Sequence, residues 1–242
     1  MTLAEILAAL FPAGHAIRVA DGLVSGHGPL DGRQVTVIGI DGDTALGIEG
    51  ALALSRAVLD AVRAGDRAPI LVLVDSDSQR MSRRDELLGL NECLAHLAKA
   101  LLLADQAGHP TIGLIYGHSA AGAFIATALA TRVLAALPGA NPSVMDLPSV
   151  ARVTKLPLDK LQEMAKSTPV FAPGLDNMVA TGAVHVVLDP ARPLTEQVRA
   201  LIADRPAEDV RDRLGAERGG RPVAQAVAAR VAEAARLEAR RG

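Results

Sequence analysis

The chain has 242 residues, a formal net charge of −2 and a hydrophobic fraction of one half, enough for one large domain with a proper core or a core plus an accessory helix. Tryptophan is absent, and there are one tyrosine and three phenylalanines. A near-neutral chain so poor in rings offers neither a basic surface for counterion release nor stacking platforms for bases, which excludes nucleic acid as a partner.

Cys93 stands alone, so there is no disulfide framework and no CxxC metal pair; in its apolar helical run it reads as a small buried hydrophobe. No stretch reaches the roughly 20 apolar residues a membrane helix needs. The N-terminus lacks a basic leader region, and Ile6–Phe11 is too short for a signal core. A cytoplasmic protein with no membrane partner is expected.

In chain order, a short helix is predicted near Leu3–Leu10, followed by strands at Arg18–Ala20, Leu23–Ser25 and Gln34–Gly39. Asp21-Gly22 and Gly28-Pro29-Leu30-Asp31-Gly32 separate them with turn chemistry. Asp41-Gly42-Asp43-Thr44 leads into a helical pattern from Leu46 to Arg63. Pro69 then opens the run Ile70–Val74, continuously apolar as a strand covered on both faces should be. A polar loop, Asp75–Gln79, precedes a long helix predicted from Ser82 to Gln106. The strand Thr111–Tyr116 and a helix over Ala123–Leu134 come next. Past Leu137 the pattern is less regular, with short strands at Ser143–Met145 and Val184–Leu188 and helices near Leu158–Lys166 and Leu194–Ala203. Gly215–Pro222 has linker composition. A terminal helix, Val223–Arg240, closes on Arg236, Arg240 and Arg241, whose charges complement the negative end of its dipole. Buried strands alternating with helices predict an α/β fold with a parallel sheet, in a main domain over residues 1–214 followed by a linker and C-terminal helix over 215–242.

The most informative motif is Gly117-His118-Ser119-Ala120-Ala121-Gly122, at the exit of one buried strand and the start of a helix. Backbone N–H groups that lack helical acceptors converge at such a junction and suit a developing oxyanion or a carboxylate. These six residues are the candidate catalytic loop; the competing reading is that small residues there only let the helix sit tightly on the sheet. Gly-His-Ser also begins many nucleophile elbows of α/β-hydrolases, which makes Ser119 a candidate nucleophile. Its histidine would have to be His185 and its acid Asp146, Asp159 or Asp176, and the last glycine of that motif falls on Ala121. The loop after the earlier strand supplies candidate substrate contacts in Ser76, Ser78 and Gln79, with Arg80, Arg83 and Arg84 as a basic cluster beside it. Arg80 is the fourth candidate substrate contact. The same segment also caps a helix, through Ser82 with Asp85 and Glu86 in the first turn. His15 and His27 have no ligand spacing, so no metal is expected, and no phosphate loop or dinucleotide fingerprint occurs.

Leu73-Val74-Asp75-Ser76, then a polar loop, a long helix and Tyr116–Ala123, is similar to the carboxyltransferase subunits of acyl-CoA carboxylases. Leu147–Pro157 and Ser167–Gly174 resemble more specifically the gamma subunit of malonate decarboxylase, and the likeness runs to about Asp189. The resemblance implies a crotonase-like fold of stacked ββα turns, completed by a beta subunit of the same fold. It implies decarboxylation of a malonyl thioester on an acyl-carrier-protein subunit, giving carbon dioxide and an acetyl thioester, without a metal. The chain would bind no cofactor of its own; a prosthetic group derived from dephospho-CoA on the carrier would hold the substrate, and an alpha (transferase) subunit would complete the holoenzyme. Loss of carbon dioxide leaves an enolate, so backbone donors aimed at the thioester oxygen fit the chemistry. Ala120 and Ala121 replace glycines of the carboxyltransferase pattern, and Asp77-Ser78-Gln79 stands where Pro-Gly-Ala is expected. A serine esterase using Ser119, and a carboxyltransferase that passes the carboxyl group to biotin, remain as alternatives. Which loop holds the carboxylate and which the thioester oxygen stays open.

Overall fold

Thr2 starts the first helix, α1 (Leu3–Leu10): its Oγ1 accepts the Glu5 N–H, and the Glu5 carboxylate accepts the Thr2 N–H in return. The computed structural model to which this helix belongs describes residues 1–168 and 172–240. Leu3, Ile6, Leu7 and Leu10 lie on the buried face of α1, the spacing of an apolar helical stripe.

Three strands follow as an antiparallel meander, β1 (Arg18–Ala20), β2 (Leu23–Leu30) and β3 (Arg33–Ile40). The β2–β3 connection is the pair Asp31-Gly32, both left-handed at φ +53° and +74°, as a two-residue hairpin requires. Gly28 to Leu30, expected within the turn, continue the strand instead, paired with Arg33 to Val35. From β3 onward the sheet is parallel: β4 (Ile70–Ser76), β5 (Thr111–Ala120), β6 (Val133–Ala136) and β8 (Val186–Val187) lie in that order, with β7 (Asn141–Ser143) alongside the far end of β5.

Both faces of this sheet are covered, which is why its central strands read as unbroken apolar runs. Helices α2 (Ile48–Ala64) and α4 (Leu90–Gln106) close one face, where Val72, Val74 and Ile115 meet Leu54, Val58 and Leu97. On the other face α1 and α9 (Leu194–Ala203) cover Leu71, Leu73, Leu114 and Tyr116. Successive turns of chain each add a strand and a helix, with a short second ladder at the exit. Leu46 bridges Gln79, and His118–Ala120 pairs with Asn141–Ser143.

Several elements differ from the sequence reading. The long helix after the polar loop is two helices, α3 (Arg83–Leu87) and α4, broken at Gly89 with φ +83°. The helix expected over Ala123–Leu134 is six residues only, α5 (Ala121–Ala126), followed by a 3-10 turn at Ala128–Ala130 and then strand β6. Thr127 and Thr131 explain the stop: their hydroxyls donate to the Ala123 and Ala128 carbonyls and close the helix locally. Val133–Ala136 is buried throughout, and a short apolar run of that kind carries no periodicity to tell strand from helix.

Three helices were not foreseen. Asp146 caps α6 (Leu147–Thr154), while α8 (Leu175–Ala180) and α10 (Arg211–Glu217) are only six and seven residues long, α8 packing Leu175, Met178 and Val179 on the core. Helix α7 (Leu158–Ser167) lies where expected. Gly215 and Gly220, in the stretch with linker composition, are pressed against the Ala180–Thr181 backbone so closely that a Cβ at either would overlap it. The last helix, α11 (Ala224–Ala239), is exposed along its length. Arg241 and Pro169–Phe171 lie outside the described residues. Among the described residues no helix is long and apolar enough to cross a membrane.

Candidate active site

Strands β4 and β5 run past the body of the sheet at their C-terminal ends. A register shift between Val74 and Ser76 brings Ser76 opposite Ser119. Beyond that pair opens a cleft of about 410 Å³, walled by Asp77, Ser78 and Gln79, by His118, Ala120 and Ala121, and by Ser143–Asp146 with Ser149. Alternation along β5 sorts the motif. His118 and Ala120 face the cleft, whereas Ser119 points into the helix-covered side and is fully buried beside Ser76. Neither hydroxyl has a hydrogen-bond partner among the described residues.

Two of the loop's N–H groups are already engaged by side chains from the β4 exit. The His118 N–H donates to Asp75 Oδ1 at 2.9 Å, and the Gly122 N–H donates to Gln79 Oε1 at 2.8 Å. Ala121 lies between them in the left-handed region at φ +50°, a conformation that costs an L-residue about 1–2 kcal/mol. As the first residue of α5 its N–H has no intrahelical acceptor; the pairing of Ala120 with Ser143 directs it to the Ser143 carbonyl of β7 instead. With only six residues, α5 brings a small dipole to the cleft.

The loop after β4 is held from behind. The Leu46 N–H donates to the Ser78 carbonyl and the Arg80 N–H to the Leu46 carbonyl, both at 2.8 Å. Arg80 directs Nε to Asp85 and Nη2 to Glu49, each at 2.9 Å, and Arg84 joins the same two carboxylates. Asp85 is buried, and Gly47 leaves the space that the Arg80 guanidinium fills. Thus, of the four residues expected to touch substrate, Ser78 and Gln79 reach the cleft. Ser76 is sealed in the sheet, and Arg80 is committed to Asp85 and Glu49.

Across the mouth, carboxylate oxygens of Asp43 and Asp77 and a ring nitrogen of His118 lie within 4.8 Å of one another. Two solvent-facing carboxylates beside one imidazole form an open, wet group rather than a closed four-ligand shell. Behind it the Tyr116 hydroxyl donates to Asp41 at 2.7 Å, and burial followed by that carboxylate pushes the phenol above its ordinary range. The sequence reading missed Asp43 as a site residue, and of the segment Val144–Ser149 it named only Asp146, as the acid of a triad. They come from other turns of chain, and no spacing links Asp43 to His118.

The hydrolase alternative is overturned. His185 accepts the Leu134 N–H on Nδ1 at 3.1 Å, and Leu134 pairs with Gly113, six residues before Ser119 along β5. That is roughly 20 Å at the rise of a strand. Asp146 accepts the Ser149 N–H and caps α6. The left-handed residue at the junction is Ala121, not Ser119, so there is no nucleophile elbow and no triad.

Residues 42–235 match the family model described as malonate decarboxylase gamma subunit. The malonyl-S-ACP:biotin-protein carboxyltransferase of Malonomonas rubra is 29% identical over 198 residues, covering 74% of this chain and 68% of that one. Among solved structures, a Pseudomonas malonate decarboxylase hetero-tetramer with coenzyme A superimposes with TM-score 0.77 at 28% identity, covering 96% of this chain and 97% of that one. The Pseudomonas MdcD–MdcE hetero-dimer gives 0.76 at 26% over the same shares. The transcarboxylase 12S structure, at 20% identity and TM-score 0.69, covering 85% of this chain and 42% of that one, shares the fold. The fold is that of the crotonase-like carboxyltransferases, as the ββα reading expected. The chain belongs to the malonate decarboxylase gamma subunit family.

Proposed function

We propose that this chain, paired with a beta subunit of its own fold, decarboxylates a malonyl thioester presented by an acyl-carrier protein. The observation that carries the reading is the cleft where the exits of β4 and β5 meet, lined by Ser78, Gln79, His118 and Ala120 and held by the bonds from the His118 and Gly122 N–H groups to Asp75 and Gln79. As the C–C bond to the carboxylate breaks, its electron pair moves onto the thioester oxygen, and a fixed donor there stabilises the enolate more than the ground state. The Gln79 amide N–H₂, whose oxygen accepts from Gly122 and whose nitrogen has only a long contact to Met81 Sδ, is a donor from this chain. The rim supports a partner: Met81, Val144 and Met145 are 81%, 44% and 43% exposed around the opening, an apolar margin that a second subunit would cover while excluding water. The carrier's dephospho-CoA-derived arm would bring the substrate, this chain binding no cofactor itself. An alpha transferase subunit would load the carrier, in a cytoplasmic complex.

The test is co-expression with the beta subunit and assay of carbon dioxide release from a malonyl-carrier protein. The pair is expected to turn over and the chain alone to be nearly inactive, with no labelling of Ser119 by a fluorophosphonate probe. Full activity of the isolated chain would overturn the reading. The 29% relative from Malonomonas rubra supports a second reading, in which the carboxyl group passes to biotin. Adding a biotinyl-carrier protein separates the two, since the label then appears on biotin rather than as gas.

A further inference from the structure

Decarboxylation ends with a proton. The enolate left at C2 must take one before an acetyl thioester can leave, and donors to the thioester oxygen do not supply it. The cleft side chains that carry a hydrogen on a heteroatom are Ser78, Gln79, His118, Ser143 and Ser149. Hydroxyls and amides are too weakly acidic to protonate carbon at neutral pH, whereas imidazole is the side chain suited to it.

The surroundings of His118 fit that task. Its backbone is clamped by the Asp75 carboxylate on its N–H, and Gly117 leaves room for that carboxylate where a Cβ would collide with it. Its ring faces the cleft, on the opposite side of β5 from the buried Ser119. Asp43 and Asp77 converge on the ring from two other turns of chain, and both are exposed to water. A ring with substrate on one side and solvated carboxylates on the other can give a proton inward and take one back from solvent.

We propose that His118 is the proton donor to C2, with Asp43 and Asp77 as positioning residues that orient its ring and connect it to water; this rests on the decarboxylase reading above. In the balanced step, the C2–C3 bond of the malonyl group breaks, carbon dioxide departs, and the electron pair resides in the enolate. The enolate then forms a C2–H bond with the imidazolium proton, leaving a neutral imidazole and an acetyl thioester, and solvent reprotonates the ring.

The experiment uses the complete complex with malonyl-carrier protein and added ¹³C-labelled carbon dioxide. Two quantities are read: net acetyl-thioester formation, and entry of label into the remaining malonyl carboxyl group. His118→Gln should lower net turnover about 100-fold, while label exchange per net turnover rises several-fold, because an enolate waiting for a proton recaptures carbon dioxide. Asp77→Asn should shift both quantities in the same directions, less strongly. The exchange ratio is read per turnover, so it does not depend on how much of a variant folds. His118→Ala with added imidazole is the second arm, with partial recovery of turnover expected. An unchanged exchange ratio in His118→Gln together with no rescue overturns the assignment and leaves His118 a structural role. A wild-type complex that releases no carbon dioxide removes the decarboxylase reading itself, and this assignment with it.

Discussion

Gln79 Oε1 accepts the Gly122 N–H at 2.8 Å, tying the loop that leaves β4 to the helix that follows β5. The bond ties together the two loops read from sequence as candidate sites, so a change in one is felt in the other. It also withdraws the Gly122 N–H, one of the expected oxyanion donors.

Gln79→Ala removes the acceptor and strands a part-buried N–H at a helix start. The cost should be about 1 kcal/mol, a fall in Tm of roughly 2–4 °C for a chain of this size. Gln79→Glu keeps an acceptor, so its Tm should stay near wild type, but its charge would oppose the malonyl carboxylate and lower turnover about 10-fold by Coulomb repulsion at close range. Circular-dichroism melts with turnover in the complex check both. Equal loss of Tm in the two variants would mean that the hydrogen bond contributes nothing.

Ala121 has φ +50° at a position where the carboxyltransferase pattern carries glycine. Ala121→Gly relieves about 1–2 kcal/mol of steric cost and gives back about 0.4–1 kcal/mol through a freer unfolded chain. A small net gain is expected, with turnover at least retained. Ala121→Val should be destabilised well beyond 1 kcal/mol, because a β-branched residue tolerates this region worst. Urea midpoints on the three proteins order them, and a stable Val variant would contradict the assigned backbone conformation.

Much of the architecture was legible because burial on both faces leaves a direct imprint. Ile70–Val74 and Thr111–Tyr116, rich in β-branched residues and each opened by a proline, read as interior strands between helices. The β4 and β5 exits were equally visible, as polar and small residues following those runs. What could not be read was direction. Whether His118 or Ser119 faces the cleft depends on strand alternation carrying on past Tyr116, and the text Gly-His-Ser-Ala-Ala-Gly suggests that the strand has already stopped. Arg80 looked free because Glu49, its partner, belongs to a different helix. The misread of Val133–Ala136 has the same origin: an apolar stretch after a helical pattern is a strand only once Thr127 and Thr131 are seen to end the helix.

Ser119 is fully buried with no partner for its hydroxyl among the described residues. Ser119→Ala should therefore leave stability unchanged or raise it by up to about 1 kcal/mol, since it removes an uncompensated polar group. Turnover should fall no more than about 10-fold, far from the roughly 10⁶-fold loss that follows deletion of a nucleophile. Gly122→Val should be much worse. A Cβ at Gly122 already lies 3.0 Å from Gln79 Oε1 and 3.1 Å from Leu94 Cδ1, so the larger side chain must displace the cap and a core leucine together. Folding and partner binding are measured first, then rate. Loss of all turnover in a well-folded Ser119→Ala complex would restore the nucleophile.

His185 should make the fold acid-sensitive. Its Nδ1 accepts the Leu134 N–H, so the neutral ring carries its proton on Nε2, which has no partner among the described residues. Burial, reinforced by nearby Arg211, pushes its pKa down from 6.5 to about 4. The unfolded chain therefore binds a proton near pH 6.5, whereas the folded chain resists one until about pH 4. The contribution of neutral His185 is fully present above pH 6.5 and is lost progressively as the pH falls towards 4. By linkage the loss is on the order of 3 kcal/mol at most, less whatever screening its partial exposure allows. His185→Gln has no proton to gain and should remove this part of the pH dependence. Urea unfolding at pH 7.5 and pH 4.5 on both proteins isolates it, because the carboxylates that titrate in the same window are common to the two. The wild type is expected to lose about 1–3 kcal/mol more than the variant between those pH values. Identical losses would mean that His185 is protonated as readily in the fold as outside it.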